Sequence, residues 1–322
     1  MTLRIGILGA ARVATYAMIA AAKDVEGVTV AGVAARDPER ARAYASTHNI
    51  PTVYEDYAAL ITSPDIDAVY NALPPNLHAR WSIAALEAGK QVLCEKPFAL
   101  SVVDVEAMLA AEARSGTLLM EAQHSHYHPI GIRMREIVQS GMIGKVSHIS
   151  GCFTAEVKRT PTELRWLPDV GGGCLWDLGV YPAYWLRSIM GEEPVIVSAW
   201  QMLADSGADI ATRATFAFPS GATGKILTDM TSAVAAWVRV EGSEGVLRVD
   251  NPLSTAFPQS LTINRAGQET VETFTRKSSY AFQLEAFRDA ILHAASVPTR
   301  GADSLATIAL LTAIRDAAQK EA

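Results

Sequence analysis

The sequence predicts an α/β protein, a Rossmann-type doubly wound parallel sheet followed by an α+β domain with a large, mainly antiparallel open sheet. Three observations carry this. Over roughly the first 120 residues, short apolar runs alternate with helical patterns, the mark of βαβ units with right-handed crossovers. Beyond about residue 145, strand-like runs follow one another across tight turns, which predicts antiparallel pairing. Between the first strand and the first helix stands Gly9-Ala10-Ala11, where a dinucleotide fold places its phosphate turn.

The elements follow in order. Arg4–Leu8 reads as a strand running into a helix over about 12–23, and Val28–Ala35 has the β-branched content and length of a buried strand. Asp37-Pro38-Glu39-Arg40 opens the next helix, with Asp37 as N-cap and Pro38 in the first helical position. Ala68–Ala72, Gln91–Glu95 and Leu118–Ala122 are strands; His78–Ala88, closed by Gly89, and Ser101–Ser115 are helices. In the second half, Val146–Val157, Val195–Leu203, Ala211–Phe218, Ala222–Thr231, Trp237–Glu241, Val246–Val249, Leu261–Asn264 and Val271–Thr275 are strand-like. Turn signals such as Pro219-Ser220-Gly221 and Gly242-Ser243-Glu244-Gly245 join them. Helices are predicted at Ile130–Ser140, Asp177–Met190, Ala281–Ala295 and Asp303–Lys320. The expected division is 1–122 for dinucleotide binding and 123–322 for substrate binding and oligomerisation, with the last helix packing back on the first domain.

Composition bounds the function. A chain of 322 residues has room for about two domains of ~150 residues. With 49% hydrophobic and 19% charged residues it buries a core without staples. Lys plus Arg (28) against Asp plus Glu (34) leaves −6, which argues against a general nucleic-acid binder and for small-molecule chemistry. The three cysteines, Cys94, Cys152 and Cys174, are scattered and form no CxxC pair. That fits a reducing compartment and excludes a Cys-rich zinc site. The apolar run after Arg4 is cut short by Arg12 and no stretch reaches 18 apolar residues. A cytoplasmic protein is expected.

The chemistry-bearing residues cluster at predicted strand ends. In the Gly9 turn, Ala11 and Ala14 replace the later glycines of the dinucleotide fingerprint. Ala14 still meets the need for a small side chain, whereas Ala11 puts a Cβ where a pyrophosphate approaches. The helix start at Arg12-Val13 offers N–H groups and a positive dipole end; the alternative is an ordinary strand–helix turn. Ala35-Arg36 ends the second strand. Arginine at that edge suits a ribose 2′-phosphate where a carboxylate suits a 2′-hydroxyl, so NADP is preferred over NAD. The competing reading pairs Arg36 with Asp37 or Glu39 in solvent. Lys96-Pro97 follows Glu95 at the C-terminal end of a strand, the edge where open α/β sheets bind ligands.

These residues, with Pro74-Pro75-Asn76-Leu77-His78, Met120-Glu121-Ala122 and Gly171-Gly172-Gly173-x-x-x-Asp177-Leu178-Gly179-x-Tyr181, resemble the glucose–fructose oxidoreductase / inositol dehydrogenase family over nearly the whole chain. Tyr181, where many members carry His, points to the dimeric dihydrodiol dehydrogenase and sugar dehydrogenase branch. The resemblance implies an NAD(P)-dependent oxidoreductase in which Lys96 reaches the nicotinamide ribose and substrate and Pro97 is often cis. It also implies that Leu73, Pro74, Asn76 and His78 lie along the cofactor with Glu95, and that Asp177 and Tyr181 serve the substrate. Four residues apart at a helix start, Asp177 and Tyr181 share a face, and Lys96 is suited to ease a proton off Tyr181. A core tyrosine and a capping aspartate are the bland alternative.

Four further features complete the reading. Gln123, just past a strand, borders the nicotinamide or substrate. Arg165 and Trp166 offer a hydrogen-bonding and stacking pair for a polyol, against the alternative of a solvent arginine and a packing tryptophan, and Tyr280 is a further contact. His124, His126 and His128 on one strand would share a face, as a zinc site does. One strand cannot easily bring three successive rings to one ion, and no resident metal is expected. The second sheet, with Trp200 and Trp237, is a natural dimer or dimer-of-dimers surface. The other readings in play are a catalytically idle nucleotide sensor on this scaffold and a metallohydrolase using the histidines.

Overall fold

The computed structural model describes residues 2–253 and 258–321. Within it the chain divides into two compact units: Met1–Tyr127 with Ser278–Ile308, and His128–Lys277 with Ala309–Ala322. A single cut in sequence, as expected at 122/123, does not describe this division. Helix α8 (Ser279–His293) returns to the first unit, where Ala281, Leu284 and Phe287 are fully buried in the same core as Ile5, Ile7, Met18 and Tyr70.

The first unit is built on β1 (Leu3–Leu8), β2 (Val28–Ala34), β3 (Thr52–Val53), β4 (Ala68–Asn71), β5 (Gln91–Glu95) and β6 (Leu119–Ala122), in the spatial order β3-β2-β1-β4-β5-β6 with every pair parallel. The inner strands β1 and β4 are buried along nearly their whole length, as befits a parallel sheet with helices on both faces. Strand order reverses between β1 and β4, the switch point at which such sheets bind ligands. After β1 comes a continuous helical stretch, α1 (12–23), whose middle, Thr15–Ala20, is a π turn. Helix α2 (Pro38–His48) starts as predicted: Asp37 Oδ1 accepts from the Glu39 and Arg40 amides at 2.9 and 3.4 Å, and Pro38 needs no partner for a missing N–H. Helices α3 (Tyr57–Thr62), α4 (His78–Glu87) and α5 (Val102–Ser115) complete the crossovers.

The second unit opens with α6 (Pro129–Gln139) and β7 (Val146–Thr154) and carries α7 (Val180–Met190). Then follow β8 (Val195–Leu203), β9 (Asp209–Ala217), β10 (Thr223–Asp229), β11 (Ala235–Gly242), β12 (Gly245–Asp250), β13 (Ser260–Arg265) and β14 (Gln268–Thr273). The described strands form a nine-stranded sheet. Most neighbours are antiparallel, with β7/β10 parallel. The helix predicted to reach Lys320 ends earlier: α9 is Ala302–Ala317, and Ala318–Glu321 becomes a strand, β15, parallel to β8. The backbone groups on the outer side of β8 outweigh the weak helical pattern of this polar tail.

Candidate active site

In the first unit, the predicted cofactor residues gather along the C-terminal edge of the sheet. Gly9 has φ +97°, and a Cβ there would lie 3.3 Å from the Ala72 carbonyl oxygen and 3.2 Å from Leu73 Cδ2. The turn after β1 and the loop after β4 therefore approach so closely at the switch point that only glycine fits. Ala10 is buried, Ala11 and Val13 are partly buried, and Arg12 is exposed. Ala11 occupies the N-cap position without a side-chain hydrogen bond to the helix. Sequence reasoning missed what holds this turn. Arg40 Nη2 donates to the Ala10 carbonyl at 2.9 Å, and the Tyr44 hydroxyl donates to the Ala11 carbonyl at 3.0 Å. Both come from α2, about one turn apart, behind the Asp37 cap. Ala35 is buried and Arg36 exposed at the end of β2. Asp37 is engaged with its own helix, so the carboxylate nearest this edge serves as a cap.

The ring of His78 stands between two loops at the ends of β4 and β5. Its Nε2 lies 2.7 Å from the Leu73 carbonyl oxygen and its Nδ1 2.9 Å from that of Pro97; the neutral ring donates to one of the two, according to its tautomer. Burial lowers the imidazole pKa, and the Lys96 charge adds to this. Asn71 Nδ2, fully buried, donates to the His78 carbonyl and to Ser82 Oγ at 3.1 and 3.0 Å. An amide amid the apolar run Ala68-Val69-Tyr70-Asn71-Ala72 was the signal for this tether. The Lys96–Pro97 bond is cis. Lys96 and Pro74 are partly buried, Pro97 and Leu73 are buried, and Asn76 is exposed. Glu95 is buried and accepts from the Tyr70 hydroxyl, whose pKa burial raises well above its ordinary value.

Beyond β6, Gln123 is fully buried; its Nε2 donates to Glu121 Oε1 at 3.1 Å and its Oε1 has no hydrogen-bond partner among the described residues. His124 Nδ1 sits 2.8 Å from Ser279 Oγ, and its ring lies over Tyr280 with centroids 4.0 Å apart. Tyr280 also meets Tyr16 of α1 at 5.4 Å. It thus belongs to the dinucleotide unit, a placement that its position late in the chain hid. His124–His126 forms a 3-10 turn, and His128 caps α6 by accepting from the Ile130 amide at 3.2 Å. The three rings therefore do not line one strand face as the zinc alternative required, and the described residues contain no group of three or more His, Cys, Asp or Glu able to hold a metal.

In the second unit, Asp177 lies in a π turn, Leu175–Gly179, that runs directly into α7. The wide turn keeps the interval from Asp177 to Tyr181 within about one revolution. Tyr181 is buried, with Phe153 edge-on at 5.5 Å and Trp185 at 6.2 Å. Arg165 donates through Nε to Asp177 and through Nη1 to Glu163 at 3.0 Å. Trp166 donates its indole N–H to the Val157 carbonyl at 3.2 Å and carries Arg159 over its ring at 5.3 Å. Arg165 is thus already paired with carboxylates, one of them a predicted substrate residue. Cys94 is buried and burial raises its thiol pKa well above the ordinary value, which fits a core role.

Comparison with known proteins agrees with this arrangement. Residues 3–123 match the GFO/IDH/MocA oxidoreductase family, NAD-binding Rossmann fold, and residues 132–248 match the GFO/IDH/MocA C-terminal domain. The chain belongs to this family. Among its relatives, a D-xylose 1-dehydrogenase (NADP(+)) of Haloferax volcanii is 31% identical, covering 98% of this chain and 97% of the relative. A trans-1,2-dihydrobenzene-1,2-diol dehydrogenase of Danio rerio is 30% identical over 100% and 97%. The crystal structure of KijD10, a 3-ketoreductase from Actinomadura kijaniata in complex with NADP and TDP-benzene, superposes with a TM-score of 0.92 at 28% identity, covering 99% of both chains. The family expectation for Pro97 is met, since the bond before it is cis. No helix among the described residues is long and apolar enough to cross a membrane.

Proposed function

We propose that this protein is an NADP-preferring dehydrogenase or reductase that moves hydride between the nicotinamide and a sugar, polyol or related cyclic secondary alcohol or its carbonyl. The observation that carries the reading is Lys96, which directly follows β5 on the same edge of the sheet as the Gly9 turn. Gly9, Ala10, Ala11, Arg12 and Val13 would hold the pyrophosphate. Ala35 and Arg36 would meet the adenosine ribose, with Leu73, Pro74, Asn76, Glu95, Pro97 and Gln123 along the remainder. His78 would act on the cofactor loops from behind. Asp37 is spent on its helix cap, so no carboxylate from that position competes for a 2′-hydroxyl, which favours NADP over NAD. The relatives named for D-xylose, a diol and a 3-keto group support the substrate class.

The bound cofactor supplies the site that gives or takes hydride. Lys96 and Tyr181 are the residues proposed to move the hydroxyl proton, Lys96 as the ammonium that favours the phenolate and Tyr181 as the acid or base. Asp177 would orient the substrate hydroxyl, with Arg165, Trp166, Gln123 and Tyr280 as further substrate contacts. Val195 and Val197 on β8 are exposed and support a homo-oligomer through the C-terminal sheet. A cytoplasmic location fits three free thiols.

The test is a panel of aldoses, polyols and cyclic diols incubated with NADP+ and with NAD+, read at the reduced-nicotinamide absorbance. Turnover of at least one with a higher kcat/KM for NADP+ is the expected result; a panel inert with both nucleotides would overturn the reading.

A further inference from the structure

The start of the helix that carries Asp177 and Tyr181 is held by a residue far away in sequence. The N-cap position of the π turn, Cys174, makes no side-chain hydrogen bond to the helix backbone. Asp209, the first residue of β9 and 34 positions beyond Leu175, does this instead. Its Oδ2 accepts from the Leu175 amide at 2.8 Å, from Thr212 Oγ1 at 2.8 Å and from Cys174 Sγ at 3.1 Å. Thr212 Oγ1 accepts in turn from Gln201 Nε2 at 3.1 Å. Cys174 and Thr212 are fully buried, and Asp209 and Gln201 nearly so.

The glycine run is shaped to this carboxylate. Gly173 has φ +113°, and a Cβ there would fall 2.0 Å from Asp209 Oδ1. At Gly172 a Cβ would fall 2.5, 2.6 and 2.9 Å from the carbonyl oxygens of Leu164, Leu167 and Arg165. The two glycines thus let the chain pass between the carboxylate and the Arg165 turn, and the Gly173 amide donates to the Arg165 carbonyl at 2.9 Å. Arg165 then reaches Asp177 through its side chain. One frame therefore joins β9, the glycine run, the Arg165 turn and the helix start.

We infer that Asp209 is a positioning residue, whose buried carboxylate sets the backbone at Leu175 and through it the direction of Asp177 and Tyr181. The inference rests on the proposed role of those two residues in substrate chemistry. The physical basis is the cost of leaving a buried amide and a buried hydroxyl without an acceptor, together with the stabilisation of negative charge at a helix N-terminus. Burial also raises the Asp209 carboxyl above its ordinary value while the Cys174, Thr212 and Leu175 donors pull it back.

The experiment compares Asp209→Ala with Asp209→Asn in the full-length protein. Hydrogen–deuterium exchange is measured on the peptide covering Cys174–Tyr181, NADPH binding by fluorescence titration, and turnover on whichever sugar or polyol the panel identifies. Asp209→Ala is expected to raise amide exchange at least about tenfold in that peptide and to lower kcat about 10- to 100-fold, with KM less affected and NADPH affinity within about twofold. Asp209→Asn keeps an acceptor oxygen and is expected to recover exchange and kcat to within a few-fold of the parent. Parental exchange and kcat in Asp209→Ala would overturn the inference, as would Asp209→Asn behaving like Asp209→Ala. Should Asp209→Ala not fold, Asp209→Ser keeps a small polar side chain too short to reach the Leu175 amide; raised exchange over Cys174–Tyr181 supports the inference, and unchanged exchange overturns it. Full turnover in Tyr181→Phe would refute the tyrosine's role separately, since the rise in exchange in Asp209→Ala does not depend on it.

Discussion

The two units secure their functional backbone with the same device and opposite chemistry. In the first, His78 stands between the carbonyls of the loops after β4 and β5; in the second, Asp209 collects the donors at the start of the Asp177 helix. Both side chains are buried, and burial pushes both toward their uncharged forms: it lowers the imidazole and raises the carboxyl. The difference is in reach. His78 is five residues from one of its carbonyls and nineteen from the other, whereas Asp209 acts across a turn, a strand and a helix. A local clamp can be part of a short motif. A distant one cannot.

The sharpest way to break the comparison is to disable one residue from each unit and ask whether the losses combine. Lys96→Met and Tyr181→Phe are each expected to lower kcat about 10²–10⁴-fold, the usual worth of a positioned acid–base group, with NADPH affinity within a few-fold. The double variant is expected to be little worse than the poorer single, because groups acting as a unit are non-additive. Fully multiplicative losses in steady-state kinetics would mean that the lysine and the tyrosine act independently.

A smaller effect is expected at the cofactor edge. Arg36→Asp should weaken NADP+ by about tenfold or more, about 1.4 kcal/mol, and improve NAD+. Equal titration curves for the two nucleotides in the parent would remove Arg36 from recognition.

The smallest effect separates the two clamps by pH. The folded imidazole of His78 has a lowered pKa, so as pH falls below the ordinary value of about 6.5 the unfolded chain takes up a proton that the folded chain refuses. This contribution to stability is therefore lost on acidification. Asp209 runs the other way. Its raised folded pKa favours the folded state when protonated, and that contribution fades as pH rises from the ordinary carboxylate value through the folded one. Against the parent, His78→Gln should therefore gain relative Tm between about pH 7 and 5, and Asp209→Asn should gain it as pH rises from about 4. Parallel Tm curves for parent and variants across both ranges would dissociate the clamps from titration.

How much of this was legible follows the same line. β5 was read to the residue, and the Asp37 cap, the Pro38 start and the Gly89 stop were each read correctly, because period, capping and glycine chemistry are written within a few neighbouring positions. The Lys96 edge followed from a strand end. The Arg40 and Tyr44 bonds to the Gly9 turn escaped, because they depend on how α2 lies against that turn. The packing of Tyr280 against His124 and Tyr16 escaped too, since nothing in the linear order reveals that α8 rejoins the first core. The zinc alternative failed at His124–His126 because a 3-10 turn replaced the strand on which the shared face depended.

Fold class, the order of the βαβ units, the glycine turn and the family motifs are thus properties of nearest-neighbour chemistry, where hydrophobic period and backbone permissiveness act over a few residues. The partners of buried polar groups belong to another level. A buried carboxylate must find its donors wherever packing brings them, and only the folded chain determined that the glycine run before Asp177 is fitted to Asp209.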